Sequence, residues 1–163
     1  MINKVKHTIG PFYQSDSEIL ILGSFPSVKS RDENFYYMHP QNRFWKVLSE
    51  VFNDDIENSV EGKRKFLIKH KIALWDVIES CEITGSSDMS IKNIKVNKIS
   101  ELIKNSKVKY IFTTGKKAYN LYNKYCLKDT NIHAIPLYST SPANAKYSLV
   151  ELVENYKVIN IKK

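Results

Sequence analysis

Asn42 offers more chemistry than its surroundings first suggest. It closes the run His39-Pro40-Gln41-Asn42, with Tyr36 and Tyr37 just before it and Phe44-Trp45 just after. A carboxamide carries two N–H donors and a carbonyl acceptor, so it can meet the edge of a heterocycle or hold a water. The two tyrosines supply flat π surfaces on which such a ring can lie. Pro40 fixes the chain ahead of a helix expected to begin near Gln41–Asn42. Asn42 is equally placed to cap that helix, and both uses stand open at this point. His39 is a general acid, a phosphate contact or simply part of the turn beside Pro40. Phe44 and Trp45 read as core, with Trp45 at its rim.

Four other segments carry candidate groups. "LILGSFPS" is an apolar strand running into Gly23-Ser24-Phe25-Pro26-Ser27. Gly23 allows a sharp turn and a close approach, and the amides beyond it can donate to a ligand. The segment lacks the spaced glycines and lysine of a phosphate loop or dinucleotide fingerprint. An ordinary strand-ending turn is the competing reading. "YSTSPANAK" places Ser139, Thr140, Ser141, Pro142, Ala143, Asn144 and Lys146 together. With Ser141 as N-cap and Pro142 as first helical residue, hydroxyls and free amides would gather at a helix N-terminus and suit a phosphate. Gly115 precedes Lys116 and Lys117 at another expected helix start, where the lysines either track a nucleic-acid backbone or face solvent. Asp88, in "GSSDMS", is the one carboxylate outside regular structure that suggests catalysis.

The elements that must position these groups are legible in outline. "EILILG", "KIALWDV", "VKYIFTT" and "NIHAIPL" are short apolar runs with little polar alternation, as in strands buried on both faces of a parallel sheet. Helical patterns lie between them: "NRFWKVLSEVF", with Phe44, Val47, Leu48 and Val51 on one face, then "VEGKRKFLIKH", "NKISELIKNS" and "GKKAYNLYNKYC". "PANAKYSLVELVENY" closes the chain. The expected fold is α/β: one domain over residues 1–163, a central four-stranded parallel sheet between two helical layers. Ligands in such folds bind beyond the carboxyl ends of the strands. There lie "GSFPS", "ESCEITGSSD" (read as a loop after the second strand), "TTGKK" and "YSTSPANA".

Composition narrows the partners. Twenty-five Lys and Arg against 17 Asp and Glu give a formal charge of +8 and a pI near 9.3, which favours a polyanion. Codon bias toward Lys, Ile and Asn is the competing explanation. Cys81 and Cys126 form no CxxC pair, which excludes the usual cysteine zinc and iron–sulfur spacings and makes a poor disulfide framework. No apolar run is long enough to span a membrane and the start lacks a signal-peptide core. These features describe a reduced, cytoplasmic protein.

Taken together, "LILGSFPS…YYMHPQNRFWKVL" and the late "STSPANA" resemble the uracil-DNA glycosylase superfamily, with the hypoxanthine-DNA glycosylase branch the nearest in pattern. "HPQNRFWKVL" and the "SLVELVENYK" helix are also similar to mismatch-specific uracil/thymine glycosylases. The resemblance implies cofactor-free and metal-free hydrolysis of an N-glycosidic bond in DNA bearing a deaminated base, by a monomer. It implies that Asn42 is catalytic, as the Asn of the branch's HPxN motif. Gly23, Ser24, Phe25, Pro26, Ser27, Tyr37, His39 and Phe44 would form the base pocket, with Tyr37 stacking on the extruded base. Ser139 to Asn144, with Lys146, would form the DNA-facing segment, in which Ala143 to Lys146 are the wedge; Lys116 and Lys117 would join it on the DNA. Phe25 stands where the mismatch-specific and uracil-specific groups carry a water-activating Asn or Asp. The usual late histidine falls near Ser139 or Thr140, and "FTTG" departs from a common Asn before the glycine. A uracil or thymine glycosylase, or a repair-accessory module without catalysis, are the alternatives these departures leave open.

Overall fold

The computed structural model describes residues 2–6, 9–84 and 92–162; Asp88 lies outside the described residues. In chain order the elements are β1 (Ile2–Lys6), β2 (Ile19–Gly23), α1 (Val28–Glu33), α2 (Phe44–Phe52), α3 (Val60–Lys69), β3 (Ile72–Asp76) and β4 (Ile78–Thr84). They continue with β5 (Lys92–Val96), α4 (Ile99–Lys104), β6 (Tyr110–Thr114), α5 (Lys116–Tyr125), α6 (Leu127–Thr130), β7 (Ala134–Leu137) and α7 (Leu149–Lys162).

The four apolar runs form the expected parallel sheet, in the order β3-β2-β6-β7. Period-2 geometry divides their side chains between the faces. Ile19, Ile21, Ile72, Leu74 and Phe112 pack under Phe44, Val47, Leu48 and Val51 of α2, with Leu152, Tyr156 and Ile159 of α7. Leu20, Leu22, Ala73 and Ile111 pack against Ile99 and Leu102 of α4 and Tyr122 of α5. Each fully buried aliphatic side chain contributes about 1.5–3 kcal/mol of transfer free energy, so two-sided burial explains why these runs read as continuously apolar. From β2 the chain crosses to β3 on one side, and later returns to β6 on the other. The order therefore reverses between β2 and β6, and the crevice beyond Gly23 and Thr114 is the place a ligand enters such a sheet.

The structure corrects the sequence reading at three places. "ESCEITGSSD" is not simply a loop after β3: Ile78–Thr84 is strand β4, in a second, antiparallel sheet of order β1-β4-β5. Asn97 helps form the bend that carries the chain between sheets, its Nδ2 donating to the Asp76 and Ile78 carbonyls at 2.8 and 3.3 Å. The final helix begins at Leu149 rather than at Pro142. Ser148 and Glu151 form a reciprocal capping box, Glu151 N–H to Ser148 Oγ at 3.2 Å and Ser148 N–H to Glu151 Oε1 at 3.0 Å, which is where a helix start gains most. Ser141 instead nucleates a turn, accepting the Ala143 N–H on Oγ and the Asn144 N–H on its carbonyl. The phosphate site expected at a Ser141 helix N-terminus is therefore absent. Third, α2 starts at Phe44, two residues after Asn42.

Candidate active site

Three chain segments meet at the ends of β2 and β6. The first is the turn after β2. The Gly23 and Ser24 carbonyls accept from Val77 and Ile78 N–H at 2.9 and 3.0 Å, while the Ser24 and Ser27 amides donate to no other described residue. Ser27 caps α1 through its Oγ, which accepts from Ser30 N–H at 3.1 Å. Pro26 is buried, and Phe25 is half-buried with the Arg31 guanidinium 5.5 Å from its ring centroid. Gly23 is required by close approach: a Cβ there would lie 2.5 Å from Asp76 Oδ1 and 3.3 Å from the Tyr37 hydroxyl.

The second segment carries Tyr37, whose φ is +54°. A bulky residue in the left-handed region costs about 1–2 kcal/mol, and such strain persists only where surroundings impose it. Here Trp45 Nε1 holds the Tyr37 carbonyl at 3.1 Å, and Ser30 Oγ accepts the Met38 N–H at 2.9 Å. The Tyr37 ring lies flat on Phe44, centroids 3.7 Å apart and planes 13° apart. Its hydroxyl is 3.2 Å from Thr114 Oγ1. Burial holds that hydroxyl well above the usual phenol range, with the Asp76 carboxylate adding to the shift, so it stays a neutral donor. Phe44 is fully buried and backs one face of Tyr37.

Asn42 is half-buried, and its carbonyl oxygen is taken twice, by Phe44 N–H at 2.9 Å and by the Thr140 hydroxyl at 2.7 Å. A backbone N–H can only donate, so the oxygen must be the atom facing Phe44, and the amide orientation is fixed. Nδ2 has no acceptor among the described residues. Asn42 Oδ1 thus satisfies the N–H of Phe44, the first residue of α2, one position before the N-cap Arg43. His39 Nδ1 accepts the Gln41 N–H at 3.1 Å, a turn contact.

The third segment is the loop after β7. Thr140, grouped with the DNA-facing residues from sequence, is 1% exposed and sits beneath the loop, where it orients Asn42. Ser139 and Ser141 bond within the loop, Ser141 N–H to Ser139 Oγ at 3.2 Å. Asn144 Nδ2 donates to the Ser139 carbonyl at 2.9 Å. Ala143, Ala145 and Lys146 are exposed and Pro142 is half-buried. Gly115, φ +89°, caps α5, with Lys116 exposed and Lys117 partly buried at its start.

The structure adds two groups to the site. Asp76, 3% exposed, lies at the end of β3 against Gly23 and near Tyr37; in sequence it is only the last residue of an apolar run. Thr114, the departure in "FTTG", supports the Tyr37 hydroxyl. Among the described residues no three His, Cys, Asp or Glu side chains gather as a metal site, and no helix is long and apolar enough to cross a membrane.

Known proteins are similar to this chain. The family model of the uracil DNA glycosylase superfamily matches residues 11–160. A hypoxanthine DNA glycosylase of Methanosarcina barkeri is 33% identical over 115 residues, 69% of this chain and 73% of that protein. Another, of Methanosarcina acetivorans, is 30% identical over 146 residues, 88% of this chain and 91% of that protein. The solution NMR structure of a candidate uracil DNA glycosylase from M. acetivorans matches with a TM-score of 0.80 at 30% identity, covering 98% of this chain and 99% of that one. The chain belongs to the uracil DNA glycosylase superfamily, and it is a DNA glycosylase.

Proposed function

We propose that the protein removes hypoxanthine from deoxyinosine in DNA by hydrolysing the N-glycosidic bond of a flipped nucleotide. The observation that carries this reading is the state of Asn42: its oxygen is locked by two donors, and its amine meets no acceptor among the described residues, which leaves it available to a ligand. As the bond breaks, its electron pair goes to the base, while the sugar becomes an oxocarbenium ion that water attacks at C1′. The departing purine gains negative charge on its ring nitrogens and O6. Donors aimed at those atoms act more strongly in the transition state than on bound substrate. Asn42 Nδ2 and the unused Ser24 and Ser27 amides are such donors. Binding the departing base suits Asn42 better than drawing a proton from water, because the oxygen that would accept from water already holds two hydrogen bonds.

Extruding a base costs a few kcal/mol, and stacking on one aromatic ring returns roughly 1–3 kcal/mol. Tyr37 supplies that ring, already locked by Phe44, Trp45 and Thr114, so little ordering remains on binding. Asp76 provides a buried acceptor for the base N–H. Phe25 removes the carboxylate or carboxamide that other readings of this site would need at that position, and the names borne by the two Methanosarcina relatives agree with a hypoxanthine substrate. Lys116 and Lys146, both exposed, would face the phosphates. The protein would act as a monomer on intracellular DNA, and both of its cysteines are buried.

Incubated with a deoxyinosine duplex in the presence of chelator, the protein should release free hypoxanthine and leave an intact strand that breaks only on alkali treatment. Borohydride should trap no covalent complex, since the proposed chemistry uses water and no lysine amine. A trapped complex, or loss of activity on chelation, would overturn the hydrolytic scheme.

A further inference from the structure

We infer that Arg43 is a positioning residue that makes the 143–147 loop stiff enough to invade a duplex, by tying it to the turn that holds Asn42. The inference rests on reading that loop as the wedge which fills the place of the extruded base. The Arg43 guanidinium donates twice into the loop, from Nη1 to the Tyr147 carbonyl at 2.7 Å and from Nη2 to the Asn144 carbonyl at 3.2 Å. Its backbone N–H donates to the Thr140 carbonyl at 3.2 Å. One residue thus grips the segment near its start, at its middle and at its end.

The loop has no helix or strand of its own between Leu137 and Leu149. Between residues 143 and 147 its other hydrogen bonds are short-range, Asn144 to Ser139 and Ser141 and Ala143 to Ser141. Its base is held from outside by Tyr138 N–H to Asn155 Oδ1, the Tyr156 hydroxyl to the Tyr138 carbonyl and the Thr140 hydroxyl to Asn42. At its far end the Tyr147 ring lies on Tyr138, centroids 3.9 Å apart and nearly coplanar at 3°. A loop pushed between stacked bases meets a resisting load, and one bonded only to itself would be displaced by it. A planar guanidinium with two separate donors resists rotation as well as translation, which a single ammonium cannot do. The grip also has a chemical consequence. Arg43 lies between Asn42, whose oxygen Thr140 holds, and Phe44, on which Tyr37 stacks. Load on the loop is thereby passed to α2 and the core beneath it, and not to the Thr140–Asn42 hydrogen bond alone.

The test compares deoxyinosine in a matched duplex with deoxyinosine inside a short unpaired bubble, where no stack must be opened. Arg43→Gln should slow single-turnover cleavage of the duplex by about 10²-fold, the scale of loss for a displaced positioning element, and slow the bubble at least about tenfold less. Arg43→Lys should fall between. In a duplex with uncleavable 2′-fluoro-deoxyinosine, 2-aminopurine beside the lesion should brighten with saturating wild type and stay dim with Arg43→Gln. Equal losses on duplex and bubble, no loss on either, or full brightening would overturn the proposal. Circular dichroism checks folding, and Arg43→Lys carries the comparison if the glutamine variant does not fold. The wedge reading is tested separately by Ala143→Gly with Asn144→Gly. An unchanged duplex-to-bubble ratio there sinks the wedge and this proposal together. A fall there with none in Arg43→Gln sinks the proposal alone.

Discussion

Asn42→Asp is expected to give a folded protein with almost no cleavage. Aspartate keeps an oxygen for the Phe44 N–H and the Thr140 hydroxyl, now 2.9 and 2.7 Å from Asn42 Oδ1, so the start of α2 survives. What changes is the other atom, from an N–H donor to a negative oxygen facing a base that is itself becoming negative. Single-turnover cleavage should fall by ~10²–10³-fold, the usual loss for one preorganised donor, with binding of the duplex much less affected. Asn42→Ala should show the same loss and also cost about 1 kcal/mol of stability, because the Phe44 N–H loses its partner. Asn42→Ser should restore the stability without the rate. Two outcomes would point elsewhere: a rate near or above wild type for the aspartate variant would make residue 42 an acceptor for water, and near-normal cleavage by the serine variant would reduce it to a support for the start of α2.

Gly23→Ala should be nearly as damaging, for a steric reason. The new Cβ would stand 2.5 Å from Asp76 Oδ1, closer than such contacts occur, and 3.3 Å from the Tyr37 hydroxyl. Asp76 is 3% exposed and has little room to retreat. Overpacking of this kind costs about 1–3 kcal/mol. Because the atoms displaced are Asp76 and Tyr37, cleavage should drop by about 10²-fold as well. Adding Asp76→Ala removes the clashing oxygen. The double variant should then be more stable than the sum of the single changes, by a coupling on the order of 0.5–3 kcal/mol. Thermal denaturation of the four proteins gives that coupling, and costs that simply add would show that the strain arises elsewhere.

These two sites also mark where the sequence is readable and where it is not. The runs around Ile21, Leu74, Phe112 and Ile135 announce a parallel sheet because burial on both faces demands apolar side chains throughout. β5 has only Ile94 and Val96 among lysines and an asparagine, and the pairing of β4 with it is broken by register shifts between Ile78 and Glu82. β5 does alternate from Asn93 to Val96, but with two apolar residues only, too short a signal to set it apart. Ser141-Pro142 imitates a helix start, whereas Ser148-Leu149-Val150-Glu151 is one; the box spacing was present in the chain and distinguishes them. Asn42 was legible by residue type and by resemblance, but which end of its amide is free depends on Phe44 N–H and on Thr140, 98 residues away. Asp76 ends an apolar strand, and only the close packing of β2 against β3 shows that its carboxylate faces Gly23. Arg43 drew no reading from sequence; its two carbonyl partners lie 101 and 104 residues further along.

The sharpest discrimination comes from a single-turnover measurement on one duplex sequence, synthesised with deoxyinosine or with deoxyuridine at the same position. A donor at Asn42 and a neutral Phe25 predict that hypoxanthine is released, and faster than uracil. Release of uracil with hypoxanthine left in place would contradict this reading and assign the site to the uracil-directed chemistry that Phe25 argues against.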